Sequence, residues 1–538
     1  MTKGSSYSRV EQDDESGSRA NGHYRDDDSH ERLPPPRGPV RKQRGCMNRQ
    51  IYVGLITVAV VIGIGILSSL TGPDRPWNDS TGHGASQSQP PPQSQVNDVL
   101  DTGPVSHPSK GSSQSSKLMS QAEWQALEDE KFNPKNFVLG APTKKFRDNL
   151  RPDVNYMSGW IAGGWTNDFM TYINLIYMAY ITQPRVPIIG QFHPTHVGEE
   201  AGFLHFGDVF DVQRLSKLIR MPVLEWRDVK DVKSKEFEEI GCWSAWSISG
   251  PDDGKARHSF IPEVTYLDVS YTDAPKETKM SPEPANWFIK IWPLARLAYP
   301  RGRAQAIHDG KVQSGPNSPT NHTHPPDEHL VCYDFLYFAG VTIEDEWFHD
   351  FSPVWREIGQ HVHWTPRIEN LAKEYLQRHF KVASIKDIPD FIVIHSRRAD
   401  FKGGCREEST KDECFATIHD YEVRVREMKA MLKKKHGKDI THVVMTSDEQ
   451  DPKWWTDIKA KGWTEIDHAG EKTEQKYGAW YPVFIDAAIQ SMAKGFIGTA
   501  GSTMSMVAAR RVEDWNNGIS VYIEWGEPGA DKHDPPSR

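Results

Sequence analysis

Three short stretches of the chain hold residues whose types and spacing suit chemistry on an anion. In the first, His395-Ser396-Arg397-Arg398-Ala399-Asp400-Phe401 directly follows the apolar run from Phe391 to Ile394. Such a run, closed by polar residues, reads as a buried parallel strand. The carboxyl end of a parallel strand is where α/β sheets bind ligands. Arg397 and Arg398 offer planar forks that match phosphate oxygens bidentately, and Asp400 is placed to orient one of them. A surface salt-bridge cluster on a loop fits the same residues equally well. The second stretch runs from Phe496 to Thr503 (FIGTAGST) and reads as strand, turn, helix. Its small residues let backbone N–H groups approach an anion, although Ser502 and Thr503 also suit plain helix capping. The third, Gly159 to Asp168, precedes a helix, and Gly163 and Gly164 allow a tight turn and close ligand approach.

In this order, the three stretches resemble the O-fucosyltransferase family, whose members transfer fucose from GDP-fucose. Gly163, Gly164 and Asn167 meet its Gly-Gly-x-x-Asn segment. His395, Arg397, Asp400 and Phe401 meet its His-x-Arg-x-x-Asp-Phe segment. Thr446 to Glu449 resembles its Thr-Asp-Glu-like segment. Asp486, Phe496 to Thr499, Ser502, Thr503, Ser505 and the pair Arg510-Arg511 meet its C-terminal pattern. The resemblance covers about residues 150 to 515.

It implies an α/β protein of GT-B fold, with two Rossmann-like halves and the donor in the cleft between them. It also implies inverting, metal-independent transfer to a protein or glycan hydroxyl, with GDP-fucose as donor and no cofactor. Arg397 would bind the β-phosphate and stabilise its departure. His395, Arg398, Asp400, Gly163, Gly164, Asp486, Ser502 and Thr503 would hold the nucleotide sugar. One departure stands out. Some members carry a glutamate base in the Gly-rich segment, whereas Ala162-Gly163-Gly164-Trp165 has no carboxylate before Asp168. Asn167 or Asp168 is therefore expected to serve the acceptor. Two alternatives keep the fold: use of another nucleotide sugar, or an inactive membrane-anchored relative that binds sugar or protein. Retention of Arg397 argues against the inactive reading, and the missing glutamate favours it.

The elements that must position these residues are visible as patterns. Asp168 to Thr182 has helical periodicity and ends before Pro184, and Val186 to Ile189 follows as a strand. Asp390–His395, Thr441–Ser447 and Lys494–Thr499 read as buried strands. Helices are expected at Tyr421–Lys435 and from about Met504. Strands alternating with helices predict a doubly wound α/β arrangement, with halves at 136–385 and 386–530.

Ahead of this region, Ile51–Leu70 holds 20 residues without a charge. That is enough to cross the roughly 30 Å hydrocarbon core. Arg37, Arg41, Lys42, Arg44 and Arg49 precede it, which predicts a cytoplasmic N-terminus. The layout expected is a tail at 1–50, a signal-anchor helix, a flexible stem at 71–135 and a lumenal domain in the Golgi or endoplasmic reticulum. Cys46 lies just on the cytoplasmic side, and palmitoylation or a free thiol suits it equally. Two N-glycosylation sequons begin at Asn78 and Asn321.

The lumenal cysteines are Cys242, Cys332, Cys405 and Cys414, an even number that suggests two disulfides. Closing the short loop 405–414 would leave Cys242 with Cys332, one of three possible pairings. The formal net charge of -9 argues against a broad nucleic-acid surface. His322, His324 and His329, and His361 with His363, fit no standard zinc spacing, so no metal is expected.

Overall fold

The computed structural model describes residue 125 and residues 129–531, apart from 183–184, 252–253, 284–285, 345 and 407. The expected cytoplasmic tail, the span Ile51–Leu70 and the stem up to residue 124 lie outside the described residues. Among the described residues, no helix is long and apolar enough to cross a membrane.

Two sheets organise the described chain. The first has seven strands: β1 (Asn155–Gly159), β2 (Arg185–Ile189), β3 (Leu224–Glu225), β4 (Glu238–Ser244), β5 (Leu267–Asp273), β6 (Val312–Ser314) and β7 (Leu330–Tyr333). Their spatial order is β3-β2-β1-β7-β4-β5-β6. All neighbours run parallel except β5 and β6. The second sheet holds β8 (Phe391–Ser396), β9 (His442–Ser447), β10 (Gly495–Thr499) and β11 (Ile519–Ile523), all parallel, in the order β9-β8-β10-β11. The second order reverses once, at β8/β10, and in the first the chain winds outward on either side of β1, with β7 returning to lie between β1 and β4; such switch points open crevices at the carboxyl ends of the strands.

Burial explains why these strands form. Every residue of β8 is buried. Successive side chains of a strand face opposite sides, so Ile392 and Ile394 pack into one core and Phe391 and Val393 into another. A strand covered on both faces needs apolar residues at every position, which is why no alternation is seen. Helix α1 (Trp165–Ile181) is likewise apolar almost all round and buried. Its last turn ends where the Thr182 hydroxyl donates to Met178 O at 2.8 Å. The remaining long helices are α2 (Pro366–His379), α3 (Ile418–His436), α4 (Tyr481–Met492) and α5 (Thr503–Asn516). Disulfides join Cys242 on β4 to Cys332 on β7, and Cys405 to Cys414, as the sequence suggested.

Helix α5 joins β10 to β11 of the second sheet and packs against both strands, and its far side also reaches the first half. The buried Arg511 guanidinium sits 4.3 Å from the Trp364 ring and between 5.1 and 5.3 Å from Phe169, Trp515 and Phe210. Its Nε and one terminal nitrogen have no hydrogen-bond partner. Burial pushes its pKa down to about 9, so it still carries its charge at neutral pH. The four ring faces are what offset the missing carboxylate, each cation–π contact contributing about 0.5–2 kcal/mol.

Arg511→Ala is expected to destabilise the protein by about 2–4 kcal/mol, since it removes the cation–π contacts and leaves a cavity. Arg511→Met fills the box without charge and is expected to recover most of that loss. Urea unfolding of the three proteins, with disulfides intact, measures both differences.

Candidate active site

Strand β8 ends with His395 and Ser396, and Arg397 and Arg398 leave its carboxyl end at the switch point. The Thr499 hydroxyl at the end of β10 donates to His395 O at 2.9 Å and accepts from the Arg397 N–H at 2.9 Å. This locks the two strand ends together and fixes where the Arg397 side chain begins.

The Arg397 guanidinium is held by two carboxylates. Nε and Nη2 meet Asp400 at 2.7 and 2.9 Å, and Nη1 lies 3.0 Å from Asp448. Burial works against its charge, but Asp448 and Asp400 outweigh that and raise its pKa. Burial likewise opposes the Asp400 carboxylate, yet Arg397 holds its pKa below the ordinary value. A guanidinium has five N–H donors, so two remain for a ligand. The side chain keeps 23% of its surface exposed, which gives those donors access.

Arg398 does not share this position. Its side chain is 3% exposed. Nε donates to Glu449 at 2.8 Å, and the guanidinium lies over Phe415 and Trp454. Burial disfavours the Glu449 carboxylate, but Lys411, the Asp451 N–H and Arg398 outweigh it and take its pKa down to about 2. The side chain expected to contact the nucleotide is thus buried and engaged within its own half. Nε and Nη1 bond Glu449 and the Ala416 carbonyl, which ties together the loops around the site.

His395 is buried beside Ser505, with Nδ1 2.7 Å from Oγ. Burial first, and the neighbouring Arg397 charge second, push its pKa to about 3, with Asp400 acting in the opposite sense. The turn after β10 passes through Gly501 at φ 78°, a left-handed conformation that suits glycine. Ser502 then caps α5 by accepting from the Ser505 N–H. Thr503 reaches across to the other half. It donates to Asn167 Oδ1 at 2.8 Å and shares a 2.6 Å hydrogen bond with Thr166. A hydroxyl has one proton, so with Thr503 donating to Asn167 the Thr166 hydroxyl is the donor of that bond.

The Gly-rich loop follows β1 at the other switch point. Asp168 is fully buried there: Oδ1 accepts from the Gly163 N–H at 3.2 Å, while Oδ2 makes no aligned hydrogen bond, although the His193 backbone N–H is near enough to favour the carboxylate. Burial raises its pKa well above the ordinary value. A carboxyl enclosed in the first turn of α1 is not presented to solvent, from which an acceptor hydroxyl would arrive. Asn167 is half-buried and faces Gly163. Gly164 packs against the ring of His196, whose Nε2 lies 3.9 Å from Asp400 in the other half. The Ala162 carbonyl accepts from Arg257 at 3.4 Å, and that guanidinium is stacked on Trp246 and Phe335.

Asp486 stands apart from the Arg397 group. It pairs with His468 at 2.9 Å. Burial lowers the His468 pKa, but Asp486 outweighs it, and the net shift is upward. Asp448, Thr499 and Ser505 stand within the sequence motifs, but nothing in one dimension assigns them a task. His196 and Arg257 carried no signal, because their loops become neighbours of the site only through the fold.

The His395 shift has a pH signature. Its folded pKa, about 3, lies below the ordinary 6.5, so the unfolded chain binds more protons between those values. Its contribution is complete above pH 6.5 and is lost as pH falls toward 3. His395→Gln keeps a partner for Ser505 and is expected to flatten the stability–pH slope in that window by up to about 1.4 kcal/mol per pH unit. Denaturant titrations of both proteins at several pH values test this.

Residues 156–513 match the family model described as GDP-fucose protein O-fucosyltransferase. Among solved structures, the chain is similar to POFUT1 in complex with GDP-fucose. Identity is 14% and the TM-score 0.37, covering 68% of this chain and 98% of that one. It is also similar to the fucosyltransferase NodZ from Bradyrhizobium, at 10% identity and a TM-score of 0.34, covering 70% and 97%. A search of curated proteins gives no match. The chain belongs to the GDP-fucose protein O-fucosyltransferase family and is a glycosyltransferase.

Proposed function

We propose that the protein transfers fucose from GDP-fucose to a protein or glycan hydroxyl, with inversion and without a catalytic metal. In this reading its two sheets form the halves of a GT-B enzyme. It is anchored by Ile51–Leu70 as a single-pass type II protein of the Golgi or endoplasmic reticulum, with the catalytic domain in the lumen. Family membership supports the donor. The single observation that carries the chemistry is Arg397. It is a guanidinium fixed at the carboxyl end of β8, partly exposed, with two N–H donors to spare.

Cleaving GDP-fucose leaves a doubly charged diphosphate beside an oxocarbenium-like sugar. A cation already held in place stabilises charge that appears only in the transition state, with no reorganisation at the moment of reaction. Asp400 and Asp448 supply that fixity. The first turn of α5, with Thr503 at its start, offers backbone N–H groups of the kind that favour phosphate. His395, kept neutral, adds no charge to a site whose cation is Arg397. Asn167 is the polar side chain of the Gly-rich loop that remains for the acceptor. Use of a different nucleotide sugar keeps every one of these roles, and an inactive binding relative would keep the pocket without turnover.

Removing Arg397 is expected to cut turnover of GDP-fucose about 100- to 1,000-fold in Arg397→Ala, with Arg397→Lys recovering little because a point charge cannot replace the fork. Hydrolysis and transfer assays on wild type and both variants, run with GDP-fucose against other nucleotide sugars, decide the donor. Equal turnover by Arg397→Ala would remove the arginine from the mechanism, and no binding of any GDP-sugar would overturn the donor assignment. Excess EDTA is expected to leave the wild-type rate unchanged.

A further inference from the structure

One cluster of ligating side chains lies outside the cleft. Glu239 stands near the start of β4, and the loop carrying His322 and His324 folds back across that strand. His322 Nδ1 lies 2.8 Å from Glu239 Oε1, and His324 Nε2 lies 2.9 Å from Oε2. One ligand atom from each residue falls within 4.8 Å of the others. The two histidines alone fit no zinc motif, and the third donor comes from 83 residues earlier in the chain.

The loop is built to stay there. The His324 N–H donates to the Ser270 hydroxyl at 2.8 Å, and that hydroxyl donates back to His324 O at 3.1 Å. The His322 N–H donates to Thr320 Oγ1, whose hydroxyl donates to Asp268. The Asp327 N–H donates to Gly241 O at 2.8 Å. Position 241 requires glycine, because a Cβ there would stand 2.1 Å from Pro325 O. Six residues of two strands and one loop therefore fix the backbone beneath the three donors.

An ordinary ion pair accounts poorly for the arrangement. His324 Nε2 is buried against the carboxylate, yet makes no aligned hydrogen bond with it. At neutral pH an ordinary imidazole is mostly uncharged and offers a lone pair. Two imidazole nitrogens and one carboxylate oxygen converging on one point, with a solvent-facing side, form the donor set of Zn²⁺ and ions like it. Donor atoms about 2.0–2.2 Å from such an ion stand about 3.3–3.5 Å apart, so the two N–O pairs would open by about 0.5 Å and the two imidazole nitrogens, within 4.8 Å of one another, would adjust to match. His322 and Glu239 are exposed enough to do so.

We propose that Glu239, His322 and His324 bind a divalent transition ion of the Zn²⁺ class, with the remaining coordination positions taken by water. Glu239 sits at the amino end of its strand, opposite to the carboxyl ends where the donor crevice opens. The ion therefore clamps the loop to β4 and β5 and takes no part in transfer. Asn321, the head of a glycosylation sequon, directly precedes His322, so the ion also fixes the backbone that would carry a glycan.

The test uses the full chain stripped with EDTA, with Zn²⁺ as the probe and Co²⁺ as its spectroscopic substitute. Calorimetry at pH 7.5 is expected to find a micromolar Zn²⁺ site that weakens at least tenfold in Glu239→Gln and in His322→Ala/His324→Ala. Saturating Zn²⁺ is expected to raise the wild-type Tm by about 2–4 °C, and the variants' Tm not at all. Should Glu239→Gln melt lower even in EDTA, His322→Ala alone decides. Equal Zn²⁺ affinity in wild type and variants would overturn the proposal. So would a Tm lowered by the substitutions yet indifferent to Zn²⁺, which would mean a hydrogen-bonded brace only.

Discussion

Helix α5 is the seam on which the geometry of this protein depends. At its first turn Thr503 bonds Asn167 and Thr166 of the other half. Along its length Arg511 fills a box of four rings, of which Phe169 belongs to α1. Near its end Asp514 accepts from Trp355 and from Arg356. A helix tied at the start, middle and end cannot slide or rotate against its neighbour. The crevice at the carboxyl end of β8 is thereby set against the Gly-rich loop after β1. The seam is made of directional polar contacts and one buried cation rather than of aliphatic packing alone. Such contacts give orientation as well as attraction, since each is lost over a few tenths of an ångström.

The electrostatics of the cleft follow from that placement. One arginine faces two acids, while a second arginine, one residue later, is withdrawn into the protein with Glu449. Adjacent arginines cannot both point into a small cleft without repelling, and consecutive residues leave an extended chain in opposite directions. The carboxylate partners also keep Arg397 from collapsing onto a backbone carbonyl. In the proposed reaction the diphosphate meets a cation whose position has been settled in advance.

Much of this was legible in the sequence. Strands β8, β9 and β10 appear as unbroken apolar runs because both faces are covered, and the disulfides follow from spacing once Cys405 pairs with Cys414. Arg397 was legible because a strand end is a place as well as a pattern. What sequence could not carry was direction. Arg397 and Arg398 look alike in one dimension, and only the fold turns one outward and buries the other. Asp168 looked available for the same reason. Its helical register put it near the loop, but not whether it faced solvent or the N–H of Gly163. The Glu239, His322 and His324 group was hidden by distance along the chain, since a ligand 83 residues away leaves no spacing to read.

The two halves contribute different kinds of group, and the division has a physical reason. The second half brings the fixed charges, Arg397, Asp400 and Asp448, on residues that leave strand ends. The first half brings neutral groups at the cleft, the amide of Asn167 and the hydroxyl of Thr166 on the first turn of α1, and glycine backbone on the loop before it. Charge that must stabilise a transition state loses its value if it moves, because a mobile ion relaxes around the ground state as well. Strand ends tied by Thr499 meet that demand. A glycine loop and the helix start after it meet the other one, presenting bare backbone and short polar groups to a partner of variable shape. With Asp168 sealed inside, the first half offers the acceptor no carboxylate from its Gly-rich loop. In the proposed reaction the stabilisation of the transition state would then come chiefly from the leaving-group side, where Arg397 stands.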